Sequence, residues 1–222
     1  MGYSLDFGVV FARFPELLSG AVGTIGLALA GMALAIIVGI LGVAARRSRF
    51  LLLRLLVIAF VDVVRNTPFL VQIFFIFFAL PLLGLRLNPT VTAIIGLGLN
   101  GGAYSIEIIR GGVDSIQKGQ VEAGLALGLH RAQVFRLIVL KPAIRAVYPS
   151  ITSQFILLTL TTSICSSIAA YELTTVADRI ESDTFRSFEV FFTVTAMYLA
   201  ISWLMNALFA AFSRRYLSYP VG

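Results

Sequence analysis

The sequence predicts an all-α, polytopic membrane helix bundle: five transmembrane helices, short connections and one long cytoplasmic segment, forming a single domain over residues 1–222. Three observations carry this. Hydrophobic residues make up 59% and charged residues 13% of the chain, against about 45–50% and about 25% in soluble domains, which leaves too little polar surface to coat a water-facing core. The mean hydropathy is +0.95. The apolar residues gather in five stretches, each near or above the roughly 20 residues that a helix needs to cross a bilayer.

Residues 1–18 carry Asp6, Arg13 and Glu16 without a basic leading segment, which reads as a short amphipathic lead-in rather than a cleavable signal. The first span, 21–45, holds no charge. The second, 51–83, is longer than one crossing requires and contains Asp62, Arg65, Asn66 and Pro68. Tilt, or a break at Pro68, absorbs the excess; splitting the stretch in two would make six spans. The third covers 90–109, the fourth 147–170 and the fifth 190–212.

The net charge is +6, but the basic residues sit in clusters between apolar runs and form no face for nucleic acid. Arg46, Arg47, Arg49 and Arg54 follow span one; Arg110, Lys118, Arg131, Arg136, Lys141 and Arg145 follow span three; Arg214 and Arg215 follow span five. These twelve face one side, and Arg13, Arg86, Arg179 and Arg186 the other, so the positive-inside rule predicts the N-terminus outside and the C-terminus in the cytoplasm. The outer connection 171–189 adds Glu172, Asp178, Glu181, Asp183 and Glu189 and reads as a solvated loop, or as a surface that meets a partner or a cationic solute. One cysteine, Cys165, and one histidine, His130, exclude an intrachain disulfide and a Cys- or His-based metal site.

The segment 111–145 is too long to be a plain connection. Residues 120–129 and 131–140 read as two short helices, with Gly128 near their junction and Pro142 ending the second. Leu125, Leu127, Leu129, Val134, Phe135 and Ile138 are too apolar for open cytosol, so the pair packs on the membrane domain or on another protein.

The run Glu122-Ala123-Gly124-Leu125-Ala126-Leu127-Gly128, followed by Ile138-Val139-Leu140, resembles the EAA loop of binding-protein-dependent ABC importer permeases. Glu122, Ala123, Gly128, Ile138 and Leu140 match in register. Gly124 replaces the usual third-position Ala, and Lys141 stands where the pattern has Pro, with Pro142 one residue later. Arg65-Asn66-Thr67-Pro68-Phe69-Leu70-Val71-Gln72 and Ala103-Tyr104-Ser105-Ile106-Glu107, together with 163–173, resemble the polar amino-acid, histidine/glutamine-type branch. The resemblance implies a bacterial inner-membrane subunit. Its implied partners are a second permease copy or paralogue, a cytoplasmic ATPase dimer carrying ATP and Mg, and a periplasmic solute-binding protein. It also implies that Glu122, Ala123, Gly124, Leu127, Gly128, Ile138 and Leu140 couple the bundle to the ATPase. No cofactor is expected on this chain.

Charges in lipid are costly, so Asp62, Arg65 and Glu107 are expected to face the bundle interior as a network, with Asp62 and Arg65 three apart on one helix face. Asn100, Gln154, Thr159, Thr161 and Thr162 are the candidate solute-path groups. In the amino-acid branch a Lys followed by Asp or Asn often stands near 159–163; here Leu160 and Thr161 stand there, a departure that leaves open whether this subunit or its paralogous partner holds a charged-substrate site. Gly96-Leu97-Gly98-Leu99-Asn100-Gly101 fits GxGxxG but lies in a span with no preceding strand; Gly98 and Gly102 read as a close-packing face. No phosphate-loop motif occurs. The expected function is a non-enzymatic import subunit for a polar amino acid. The alternatives are a permease for an opine or another amino-acid derivative, a secondary transporter, or an intramembrane enzyme, for which no catalytic constellation is visible.

Overall fold

The computed structural model describes residues 4–217, and within them every regular element is helical. Met1 and Gly222, the chain ends to which the expected orientation refers, lie outside the described residues. A short α1 (Gly8–Ala12) leads into α2 (Phe14–Arg46), which starts with Pro15 in its first turn, where a missing N–H costs nothing. There follow α3 (Leu51–Arg65), α4 (Phe69–Ala79) with a 3-10 turn at Leu80–Leu83, and α5 (Pro89–Asp114), capped by the Asn88 side chain. Then come α6 (Lys118–Ala126), α7 (Arg131–Val134), a π turn (Phe135–Val139) and α8 (Leu140–Thr161), which runs into a 3-10 stretch, Thr162–Ile168. The chain closes with α9 (Leu173–Thr184) and α10 (Ser187–Tyr216).

Among the described residues four helical runs are long and apolar enough to cross a bilayer: Phe14–Arg46, Pro89–Asp114, Arg131–Ile168 and Ser187–Tyr216. A bent pair, Leu51–Arg65 with Phe69–Leu83, brings the number to as many as five. The pair turns through 111°, much more than a tilt. Pro68 lacks an N–H and drives Thr67 out of helical geometry, and the freed groups find side-chain partners. Asn66 Nδ2 donates to the Asp62 carbonyl at 2.7 Å, and Thr67 Oγ1 to that of Val63 at 2.8 Å. Gln72 Nε2 reaches the carbonyls of Val64 at 2.8 Å and Thr67 at 3.0 Å. In hydrocarbon, where no water can serve these carbonyls, such satisfaction decides whether a break is tolerated.

The central pair is α2 against α5. Leu97 and Leu158 face Gly31, Leu34 faces Gly98 and Val38 faces Gly102, so a Cβ at any of these glycines would overlap its neighbour. The expected close-packing face at Gly98 and Gly102 is therefore present, with α2 as its partner. Leu27, Ala28, Ile73, Leu97, Leu158 and Cys165 build the middle of the core, and Leu17, Leu173, Ile180 and Val190 build one end. α10 is almost unburied, presenting Trp203, Leu204 and Leu208 outward.

Two expectations are corrected. Pro142 does not end a second short helix: Arg131–Ile168 is one 38-residue helical run. The π turn widens the backbone directly ahead of Pro142, where the ring would otherwise clash with the carbonyl four residues back. The connection 171–189 is not a solvated loop either. α9 buries Leu173, Val176, Ala177 and Ile180, and Glu172 and Glu189 have no exposed surface. Asp183 pairs with Arg13 at 2.6 Å, and Glu189 accepts from the Asp6 amide at 2.9 Å, so the lead-in and this connection form one cap.

Candidate functional site

The helix pair between α5 and α8 is built around Gly128. The Leu129 amide donates to the Gly124 carbonyl at 3.2 Å and the Gly128 amide to that of Leu125 at 3.0 Å. This double closure requires a left-handed residue just past the helix, and Gly128 supplies it at φ 82°. Two residues later His130 caps α7: its Nδ1 accepts from the Gln133 amide, and the Gln133 side chain accepts from the His130 amide at 3.0 Å. Gly124 is buried because Ile138 and Val134 pack directly on it, leaving no room for a Cβ without displacing the Ile138 side chain. The departure from Ala at this position thus allows the two helices to approach more closely.

The outward side of the pair is apolar where water would be expected. Leu127 is 83% exposed, Leu137 64%, and Leu125 is exposed as well. Glu122 and Ala123 are exposed, while Ile138 faces inward to Gly124. Large apolar side chains left exposed on a helix pair are a feature that marks contact sites with other proteins or with the membrane.

The expected charge network has different members. Glu107 is bonded to Arg46 of α2, and to Arg110 at 2.6 Å; Asp114 is bonded to Arg47 at 2.5 Å and to Arg110 at 3.3 Å. Arg65 does not reach Glu107. Its guanidinium lies 5.4 Å from the Tyr104 ring centre, and Asp62 and Arg65 are both exposed. The physical reason is the bend: it ends α3 at Arg65 and sets that residue against the Tyr104 level of α5, whereas Arg46, at the end of α2, comes level with Glu107. A charged hydrogen bond contributes about 1.5–3 kcal/mol and an exposed cation–π contact about 0.5–1 kcal/mol. Arg46→Ala should therefore lower the thermal midpoint of the detergent-purified protein more than Arg65→Ala, and equal shifts would contradict the pairing.

The path candidates are scattered. Asn100 Nδ2 donates to Gln72 Oε1 at 3.0 Å and so pins the α3–α4 bend. Thr159 and Thr162 are fully buried, donating to the carbonyls of Phe155 at 2.9 Å and Thr159 at 2.7 Å. Thr161 donates to Leu157 at 2.8 Å. Gln154 and Thr161 are half-buried and keep an open side.

A further cluster escaped the sequence reading. Glu172 caps α9, accepting from the amides of Thr174 at 2.9 Å and Thr175 at 2.6 Å, and from the Tyr198 hydroxyl of α10 at 2.7 Å. Thr24 of α2 accepts the Leu173 amide at 3.1 Å. Burial pushes the Glu172 carboxyl above the ordinary glutamate range, opposed by the bonds from Thr174, Tyr198 and Thr175. Glutamate is not among the residues that usually cap a helix start, so the local sequence carried no signal for this cap.

The chain is thus a membrane helix bundle packed through small residues, with a bent α3–α4 pair and an apolar helix pair between α5 and α8. The family described as "Binding-protein-dependent transport system inner membrane component" matches residues 31–218, and the chain belongs to it. It is a permease component of an ABC importer. The chain is 35% identical over 212 residues to the glutamine transport system permease protein GlnP of Escherichia coli (strain K12), covering 95% of this chain and 97% of that one. It is 34% identical over 214 residues to the nopaline transport system permease protein NocM of Agrobacterium fabrum, covering 92% and 89%. Among solved structures, an amino acid ABC transporter crystallised with histidines superposes with a TM-score of 0.90 at 29% identity, covering 96% of this chain and all of that one. An inward-facing MetNI methionine transporter shares the fold, with a TM-score of 0.75 at 19% identity over 91% and 97%.

Proposed function

We propose that this chain is the membrane-spanning subunit of an ATP-driven importer for a polar amino acid or an amino-acid derivative such as an opine, in a bacterial inner membrane. The bent α3–α4 pair acts as one span, making five, with the N-terminus outside and the C-terminus in the cytoplasm. The observation that carries this reading is the exposure of Leu125, Leu127 and Leu137 on the helix pair around Gly128. It supports a seat in a cytoplasmic ATPase subunit, which holds ATP and Mg, with Glu122, Ala123, Gly124, Leu127, Gly128, Ile138 and Leu140 in the coupling segment. A second permease subunit completes the pore, and a periplasmic binding protein delivers the solute. Gln154 and Thr161 are the groups left open to the path.

The test is purification of the tagged chain in detergent, followed by reconstitution with the co-eluting subunits. An ATPase should co-purify, and uptake of the solute should require both ATP and the binding protein. A reporter fused at the C-terminus should be active only in the cytoplasm. Uptake by this chain alone, driven by an ion gradient, would overturn the proposal in favour of a secondary transporter.

A further inference from the structure

A groove of about 560 Å³ lies between α2, α5 and α8 and has no role in the reading above. Ile36, Ile40, Val43 and Ala44 of α2 form one wall, and Leu140, Ile144 and Ile151 of α8 form much of the other. The lining includes one charged residue, Arg47, at the α2 end of the groove, and it is exposed. From Ile36 to Arg47, and from Leu140 to Ile151, each wall rises eleven residues, or about 16 Å at 1.5 Å per residue. Half of a hydrocarbon core of about 30 Å is about 15 Å. The two ends agree in depth: Ile36 and Ile151 meet again in the neighbouring cavity, at the deep end.

We propose that this groove is a binding site for one anionic phospholipid, with an acyl chain lying along the α2–α8 walls and the phosphate held at Arg47. Three features select this occupant. The groove is one leaflet long, apolar along its length and cationic at its interfacial end. Arg46 and Arg49 flank Arg47, and the exposed Lys141 follows Leu140 on the facing wall. Arg47 shares Asp114 with Arg110, so the cluster Arg46, Arg47, Arg110, Glu107 and Asp114 retains a positive excess toward a phosphate. Phe135 and Leu140, at the π turn joining the coupling pair to α8, also line it, so an occupied groove braces the root of the coupling pair.

Which leaflet the groove opens to rests on the proposed orientation; retention of lipid does not, so the two fail separately. The experiment is native mass spectrometry of the purified complex after exchange into mixed micelles with equal phosphatidylglycerol and phosphatidylcholine. The wild type should hold about one phosphatidylglycerol per chain, preferred about fivefold over phosphatidylcholine, as expected for one basic residue at a membrane surface. Arg47→Gln should bring that preference close to unity, and Arg47→Lys should restore it. Ala44→Trp should cut total retained lipid roughly tenfold by filling the groove. Ile37→Trp, on α2 outside the groove, should change nothing. Unaltered preference in Arg47→Gln would overturn the site, as would equal losses in Ala44→Trp and Ile37→Trp, which mark ordinary boundary lipid.

Discussion

Gly128→Leu should insert into the membrane at wild-type levels and lose transport. At φ 82° a leucine bears roughly 1–2 kcal/mol of strain, which shifts the ratio of native to opened junction roughly 5- to 30-fold toward the opened form. The strain is purely backbone, because a Cβ at Gly128 meets no atom within 4 Å. The chain escapes it by opening the double closure to Gly124 and Leu125, which swings α6 away from Val134 and Ile138. The spans are untouched. Gly128→Asn, which tolerates the left-handed region, should retain most activity. The measurement is solute uptake in reconstituted vesicles, with hydrolysis followed against loaded binding protein. Uptake at the wild-type rate in Gly128→Leu would show that the angle between α6 and α7 does not transmit motion.

The spans were legible because lipid imposes a length and a composition on every crossing, and runs of uncharged residues such as 21–45 admit no other reading. The junction at Gly128 was legible for a similar reason: a glycine between two apolar helical patterns has few uses. Four features were not. Pro142 looks like a terminator locally, and only the π turn ahead of it lets the helix continue into α8. Asp62 and Arg65 satisfy an i,i+3 pairing rule, but the partner of Glu107 was decided by α2 ending level with it, which no local pattern contains. The acidic connection 171–189 was misread because carboxylates suggest water. Two of its five are wholly buried, Glu172 as the cap of α9 and Glu189 against the lead-in amide of Asp6. Gln72 and Asn100 stood in view as polar residues in spans, yet their bond crosses 28 positions and depends on the Pro68 bend.

The second large effect is expected at Glu172. Replacing it with alanine leaves the Thr174 and Thr175 amides and the Tyr198 hydroxyl without their acceptor, at a position with no solvent access. Thr175 Oγ1 keeps the Ala170 carbonyl at 2.5 Å, and the Tyr198 hydroxyl can fall back on Thr174 Oγ1 at 3.0 Å, so the two amides are the groups stranded. At about 1–3 kcal/mol for each unsatisfied buried donor, the loss is roughly 2–6 kcal/mol. That is a large part of the 5–15 kcal/mol that holds a typical domain together. Because α9 joins α2 through Thr24 and α10 through Tyr198, the damage spreads to the packing of α2 and α10. Glu172→Ala should give little folded protein in detergent and a thermal midpoint many degrees below wild type. Glu172→Gln, which keeps one carbonyl oxygen for the Thr175 amide, should fall between the two. Tyr198→Phe should cost about 1 kcal/mol alone and less on top of Glu172→Ala, where the bond to Glu172 is already gone and only the one to Thr174 Oγ1 is left to lose. Full additivity in that cycle, or a Glu172→Ala midpoint equal to wild type, would mean that α9 is held by its apolar face alone and that the buried carboxylate is not its anchor.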